Sequence, residues 1–466
     1  MKNMTTPPAR MARLPRAIAT AFAAAALLAS GGMLPTAHAA IIGYMQPYET
    51  LTDARIASSA LPAAEQGAWR DYLARSRALM AADKAALAAE RGAATPTAAA
   101  PTAAVPAGSA TPPAPPHNTS HDGGMPLNRQ AAWYGSADAR LVAANIISYQ
   151  TPAGGWGKNT DRAALPRQRG QHYVVDDVVP GSPPRKDAWN YVGTIDNDAT
   201  TTELRFLARM QAQAPGAGGD AYRQSFLKGL RYLLNAQYPN GGYPQIYPLQ
   251  GGYHDAITFN DNAMGSVVEL LDEAAAAKGD YAFVPAAMAG EARVAAAKAV
   301  QLILSSQIII GGVRTAWCQQ HDPITLAPVG ARNFEPPSLT SGESAALVML
   351  LMRLPAPTPD AVAAVRGTAA WLQRAALRDV EWTGKDPIAG RRLVAKPGAG
   401  PIWSRYYDIA TMKPIFGDRD RSIHDDVNAV SLERRNGYAW FGTGPAKALE
   451  LYARWPHSRP AAAAQQ

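Results

Sequence analysis

Leu233-Leu234-Asn235-Ala236-Gln237, with Gly241-Gly242-Tyr243 after three intervening residues, is the stretch that decides how this chain folds. Its apolar residues run at helical spacing, and the glycine pair supplies the backbone freedom that ends a helix and turns the chain. The pattern recurs on both sides. Upstream, Ile146-Ile147-Ser148-Tyr149-Gln150 precedes Gly154-Gly155-Trp156; downstream, Leu304-Ser305-Ser306-Gln307 precedes Gly311-Gly312-Val313. The separation between copies leaves room for a helix pair and a functional loop, and such repetition indicates stacked helical hairpins. Each unit should hold an outer helix ending at its glycines, a loop, and an inner helix beginning near Thr200, Ala263 or Ser338. Three hairpins in a ring make a mostly α protein, an (α/α)3 toroid. All its inner-helix entrances then lie on one rim, where long loops carry a cleft.

Outside the repeats the composition changes. Lys2, Arg10, Arg13 and Arg16 precede an apolar run from Ala17 to Leu28, and Ala37-His38-Ala39 supplies a small-x-small cleavage site. Residues 1–39 therefore read as a signal peptide, too short to anchor in a membrane, and the protein as secreted, extracellular or periplasmic. No cysteine near the cleavage point supports a lipoprotein anchor. The four leader cations, with no acid before Glu49, take the formal charge from +8 to +4 on processing. A mildly basic exported protein is compatible with a polyanionic partner, with no sign of nucleic acid or membrane as partner. The single cysteine, Cys318, excludes an intramolecular disulfide framework and reads as a buried small hydrophobe. Residues 40–91 form a helical N-terminal segment, read as two helices joined near Arg77 to Ala82. Residues 92–122 are an Ala/Pro/Thr-rich low-complexity insert, 123–456 the catalytic domain and 457–466 a disordered tail. No heptad seam suggests an oligomer, so a monomer is expected.

The chemistry is concentrated at the inner-helix entrances. Asp196, Asn197 and Asp198 stand just before Thr200, Thr201 and Thr202, and Asn260, Asp261 and Asn262 just before Ala263 and Met264. Taken alone, both clusters serve as ordinary helix caps; brought together, their carboxylate and amide oxygens suit Ca²⁺. The third entrance offers Ala331-Arg332-Asn333-Phe334-Glu335 instead. Further on, Trp403-Ser404-Arg405-Tyr406-Tyr407 and Asp418-Arg419-Asp420-Arg421 set aromatic rings beside arginines, as sugar-acid sites do, although ordinary surface ion pairs fit each arginine equally. Pro401 to Arg435 holds six basic and six acidic residues, so any substrate carboxylate must meet individual arginines rather than a cationic patch.

Gly154-Gly155-Trp156-Gly157-Lys158-Asn159, Thr194-Ile195-Asp196-Asn197, Phe259-Asn260-Asp261-Asn262-Ala263-Met264, Ala331-Arg332, and Arg405 with Arg419 together resemble the family 10 pectate lyases. The likeness spans Gly123 to Trp455. It implies an (α/α)3 toroid and calcium-dependent β-elimination on an acidic polysaccharide, polygalacturonate. By the same resemblance Arg332 is the base. Asp196, Asn197 and Asp261 form the acidic cleft holding Ca²⁺ and substrate, Asp196 also counting as catalytic. Arg405 and Arg419 bind galacturonate carboxylates, and Lys158 and Tyr247 complete the expected substrate contacts. Asp198 departs from the pattern, which has a small residue there; it adds a ligand or caps the helix. Arginine is a poor base, since its pKa lies above ~12; Ca²⁺ and the cations Arg405 and Arg419 are expected to push Arg332 downward, and its alternative role is to stabilise the enolate. Three other readings compete. One is a toroidal glycoside hydrolase with Asp196 and Asp261 as acid and base; the others are a terpenoid-cyclase-like toroid and a non-catalytic pectin-binding module.

Overall fold

The computed structural model describes residues 41–92, 116, 119, 122–175 and 192–458. The expected signal peptide, nearly all of the low-complexity insert and the chain end beyond residue 458 lie outside the described residues.

Each repeat is built as a helix pair. The outer helices are α3 (Ala137–Ser148), α5 (Asp220–Ala236) and α7 (Ala286–Ser306), and their inner partners α4 (Thr201–Gln213), α6 (Ala263–Ala276) and α8 (Ser341–Met352). A further outer helix, α9 (Pro359–Ala375), packs on α8, as does α11 (Gly444–Arg454). Inner helices are buried nearly all round, as α6 shows with Val267, Val268, Leu270, Leu271 and Ala274. Each such side chain removed from water contributes about 1.5–3 kcal/mol. The third inner helix begins at Ser341 rather than near Ser338, because Pro336-Pro337 delays it and Leu339–Thr340 first forms a short strand.

The repeated glutamine has a mechanical reason. Gln150 Nε2 donates to Gly154 O (2.8 Å) in its own loop and to Ser225 O (2.9 Å) on the next outer helix. Gln237 does the same with Gly241 O and Ala295 O, and Gln307 with Thr315 O and Ala364 O. Each glutamine thus pins its turn to the following unit and satisfies carbonyls buried between them. A Cβ on Gly154 would fall 2.7 Å from Lys228 O, and one on Gly241 2.4 Å from Lys298 O. Both also lie at positive φ, so only glycine fits. A tryptophan repeats as well: the indoles of Trp156, Trp317 and Trp403 donate to Ile146 O, Ile303 O and Leu372 O at 2.7, 2.7 and 2.8 Å.

Short antiparallel ladders tie the rim together. Gly193–Thr194 pairs with Ile246–Tyr247, Ile257–Thr258 with Gln320–His321, and Leu339–Thr340 with Tyr406–Tyr407. Each therefore fixes one inner-helix entrance against the next stretch of rim. Near the N-terminus, α1 (Asp53–Ala57) leads into α2 (Ala63–Gly92), and Leu432–Gly437 forms α10. The expected break near Arg77 to Ala82 is absent: that segment is Arg-Ala-Leu-Met-Ala-Ala, all strong helix formers with no glycine or proline to interrupt it. Trp69, Tyr72 and Leu73 bury this helix against the repeats, and Tyr72 Oη donates to Ala236 O at 2.9 Å. His457 and Ser458, at the start of the expected tail, accept hydrogen bonds at their carbonyls from Arg366 and Tyr452. No helix among the described residues is long and apolar enough to cross a membrane.

Candidate active site

The two acidic clusters meet, and they meet through left-handed backbone. Asn197, Asp198 and Thr200 have φ of 53°, 57° and 65°, and Asp261 and Asn262 have 49° and 58°. A β-branched threonine at positive φ is a true outlier, of the strained kind that accumulates at functional sites. The capping reading of these clusters is not realised: neither Thr200 nor Asn262 makes a side-chain cap bond at the N-terminus of its helix. Thr200 Oγ1 instead donates to Thr194 O and accepts from Trp156 N, binding the entrance to the repeat's glycine turn. The side chains are released to face one another. Asn260 Nδ2 donates to Asp196 Oδ1 (3.2 Å) and to Asp261 Oδ2 (3.0 Å), while Lys158 Nζ sits 2.7 Å from Asp196 Oδ2. Asn197 spends its amide nitrogen on Asn159 Oδ1 at 3.3 Å. Asp198 neither caps nor joins this group, because its Oδ1 accepts from Ser266 Oγ at 2.9 Å.

From Asn260 the network crosses to the arginines. Arg405 Nη2 donates to Asn260 Oδ1 (2.9 Å) and Glu343 Oε1 (2.8 Å), and lies 3.6 Å from Asp261 Oδ1. Its guanidinium stands over the rings of Tyr438 and Tyr406. Tyr438 Oη donates to Glu335 Oε1 at 2.6 Å, and Glu335 clamps Arg332 through Nε (2.9 Å) and Nη2 (2.5 Å). Arg332, Arg419 and Arg434 all approach the Phe334 ring. Lys158, Asp196, Asp261, Arg405, Arg332 and Arg419 thereby belong to one continuous chain of contacts along the rim.

Two expectations change here. Tyr247 is 1 % exposed, packed against Tyr72 and Tyr232, so its ring is core and presents no face to a polysaccharide. Arg332 is shifted upward, not downward. Burial alone would lower its pKa, but the hydrogen bonds and charge of Glu335 outweigh that. Glu335 in turn is held below the usual carboxylate range although burial pushes it up, because Arg332, Tyr438 and the Arg332 amide all donate to it. Arg405 follows the same logic: burial opposes its charge, yet Glu343, the flanking tyrosines and Asp261 hold it well above the ordinary value.

Asp196, Asn197 and Asp261 offer hard oxygen donors, and the two carboxylates converge on a single amide nitrogen. That set fits a calcium ion. Among the described residues no group of three or more His, Cys, Asp or Glu side chains stands ready to hold a metal, so Asn197 would have to contribute. Sequence reasoning missed Asn260 as the bridge, and Glu343, Glu335 and Tyr438 as the groups that aim the arginines. Glu343 had a local signal: Thr340-Ser341-Gly342-Glu343 repeats the spacing of Thr200-Thr201-Thr202-Glu203.

A helical toroid whose rim opposes paired carboxylates to ring-backed arginines is the setting of an enzyme acting on uronate polysaccharides. The pectic acid lyase family matches residues 150–449, and this chain belongs to it. Among solved structures it is similar to the family 10 polysaccharide lyase from Cellvibrio cellulosa, at 32% identity and TM-score 0.59, covering 72% of this chain and 97% of that one. It is similar in the same measure to an alanine mutant of that lyase in complex with trigalacturonic acid, with 73% of this chain and 100% of the other covered. Comparison with curated proteins gives no match. The protein is a polysaccharide lyase on an (α/α) toroid, which sets aside the hydrolase, cyclase and binding-module readings.

Proposed function

We propose that this enzyme is a calcium-dependent pectate lyase, exported after removal of residues 1–39 and active as a monomer. It cleaves α-1,4-polygalacturonate by anti β-elimination and releases 4,5-unsaturated oligogalacturonates. The observation that carries the reading is the unbroken rim network from Lys158 through Asp196, Asn260, Arg405, Tyr438 and Glu335 to Arg332. It joins a carboxylate pair to arginines in a chain whose solved relative holds trigalacturonic acid.

The difficulty of the reaction is to remove the proton from C5, next to a carboxylate that is already negative. Bound by Asp196, Asn197 and Asp261, calcium would neutralise that carboxylate and act as a Lewis acid. Arg405 and Arg419 pair with uronate carboxylates and fix the chain, while the buried rings of Tyr438 and Phe334 lie against the two guanidinium groups. Lys158 supplies a further cation beside Asp196. Arg332 is half exposed, at 49 %. In the base role a neutral Arg332 takes the C5 proton, the C4–O4 bond breaks, the departing O4 takes a proton from solvent, and no water is added across the bond. The Glu335 clamp favours a second role for Arg332, because a guanidinium kept charged is better placed to stabilise the enolate than to accept the C5 proton, which then passes to solvent.

A continuous ultraviolet assay on polygalacturonate, with added calcium and then with excess chelator, tests the reading. Absorbance from the unsaturated product should rise, stop rising with chelator and resume with calcium; new reducing ends without absorbance would refute it. Arg332→Lys should cost roughly 10²–10⁴ in kcat while oligogalacturonate binding persists, in either role for Arg332.

A further inference from the structure

We propose that the strap formed by residues 41–55 is a positioning element of the active site, holding the hairpin that carries Arg419 and the loop that carries Arg332 in register with each other. The inference rests on the reading above that these two arginines act on substrate. The strap lies before residue 150, where the family match begins.

The strap touches three separate rim segments in a few residues. Ile41–Tyr44 adds an antiparallel strand to Ser422–His424, which otherwise pairs only with the two-residue strand Phe416–Gly417. Two such short strands are marginal by themselves, and a third edge is what makes the unit persist. Asp418 to Arg421 forms the turn of that hairpin. Met45 N donates to Arg421 O at 2.9 Å, pinning a residue that sits at φ 73°.

The same methionine reaches the second segment. Met45 is buried, and its Cε packs against Gly330, 2.6 Å from where a Cβ would stand on that glycine. Two residues later stands Arg332. Asn333 then bonds Arg419 O through Nδ2 at 3.1 Å, linking the loop to the hairpin directly above the strap. Farther along, Thr50 Oγ1 accepts from Gly252 N at 3.1 Å, and Arg55 pairs with Asp322, fastening the strap's far end to the repeats.

Met45 is therefore the wedge on which both arginine-bearing segments rest, without itself reaching the carboxylates or the cleft arginines. Removing it leaves the fold's helices untouched and lets two loops drift. A misplacement of about 1 Å in such groups costs roughly a hundredfold in rate.

The test uses the full chain with Met45→Gly and Met45→Leu, compared by kinetics on polygalacturonate, melting temperature and amide hydrogen exchange. Met45→Gly should lower kcat/KM roughly tenfold to a hundredfold, lower the melting temperature only by what the loss of one buried side chain brings, and speed exchange in 330–335 and 416–424 but not in α5, α6 or α7. Met45→Leu should restore most of the activity and the slow exchange. Wild-type kinetics and exchange in Met45→Gly would overturn the proposal, as would exchange quickened equally through all the helices, which marks mere destabilisation. If the parent enzyme shows no turnover while the exchange pattern appears as stated, the lyase reading fails and the strap's positioning role stands.

Discussion

The entrances of α4 and α8 are written in the same local grammar and end up with different work. Thr200-Thr201-Thr202-Glu203 and Thr340-Ser341-Gly342-Glu343 both have the spacing of a capping box, yet neither threonine caps its helix. In both, the glutamate turns inward to an arginine supplied from elsewhere. Arg162 meets Glu203 at 2.9 Å with its side chain 0 % exposed, walled in by Tyr149 and Gly157 O. Arg405 meets Glu343 at 2.8 Å but keeps 17 % of its side chain exposed, and Asn260 and Asp261 are its other neighbours. One pair is a strut and the other a binding group. What separates them is whether the arginine retains an open face toward the cleft.

That contrast can be broken most forcefully at the strut. Glu203→Ala leaves Arg162 charged and wholly enclosed, which should cost about 3–5 kcal/mol of stability in urea unfolding. The fraction that folds should keep normal turnover; normal stability with lost turnover would erase the distinction. Glu343→Gln should do the reverse. Arg405 keeps Asn260 and Asp261, so unfolding should shift little, while KM for polygalacturonate rises roughly tenfold, the worth of one charge-assisted contact.

A third and smaller effect concerns the half-exposed clamp. Because the folded protein holds Glu335 below its ordinary 4.5, its contribution to stability is complete above that value and is lost as the pH falls through the lower folded value. Glu335→Gln should therefore be less stable than the parent at neutral pH and converge with it in strong acid. Urea unfolding followed across that range would show it; parallel curves at every pH would mean the clamp adds nothing.

How much was legible beforehand follows from how local each device is. The glutamine and glycine pairs could be read because their partners are fixed by chain geometry, one loop and one helix away. The alternative reading of each cluster alone as a helix cap fails on backbone conformation: Thr200, Asp261 and their neighbours sit at positive φ, and nothing in residue type announces that. The fourth outer helix, α9, escaped notice because no Gln-x-x-x-Gly-Gly follows it, although Trp403 keeps the indole bond of the other units. Tyr247, expected among the substrate contacts, is covered by the long α2 helix, which sets Tyr72 against it. Glu335 reversed the expected shift of Arg332 because a carboxylate three residues away in sequence folds back onto it.

The glutamine bonds also give the ring a direction. Each one reaches forward in the chain, from α3's turn to α5, from α5's to α7, and from α7's to α9, and none reaches back. The series stops at α9, which is followed by Ala376-Leu377 in place of a glutamine. In a repeat architecture where stability is shared between neighbours, this makes α9 a terminator: the number of units is punctuated in the sequence by where the glutamines stop.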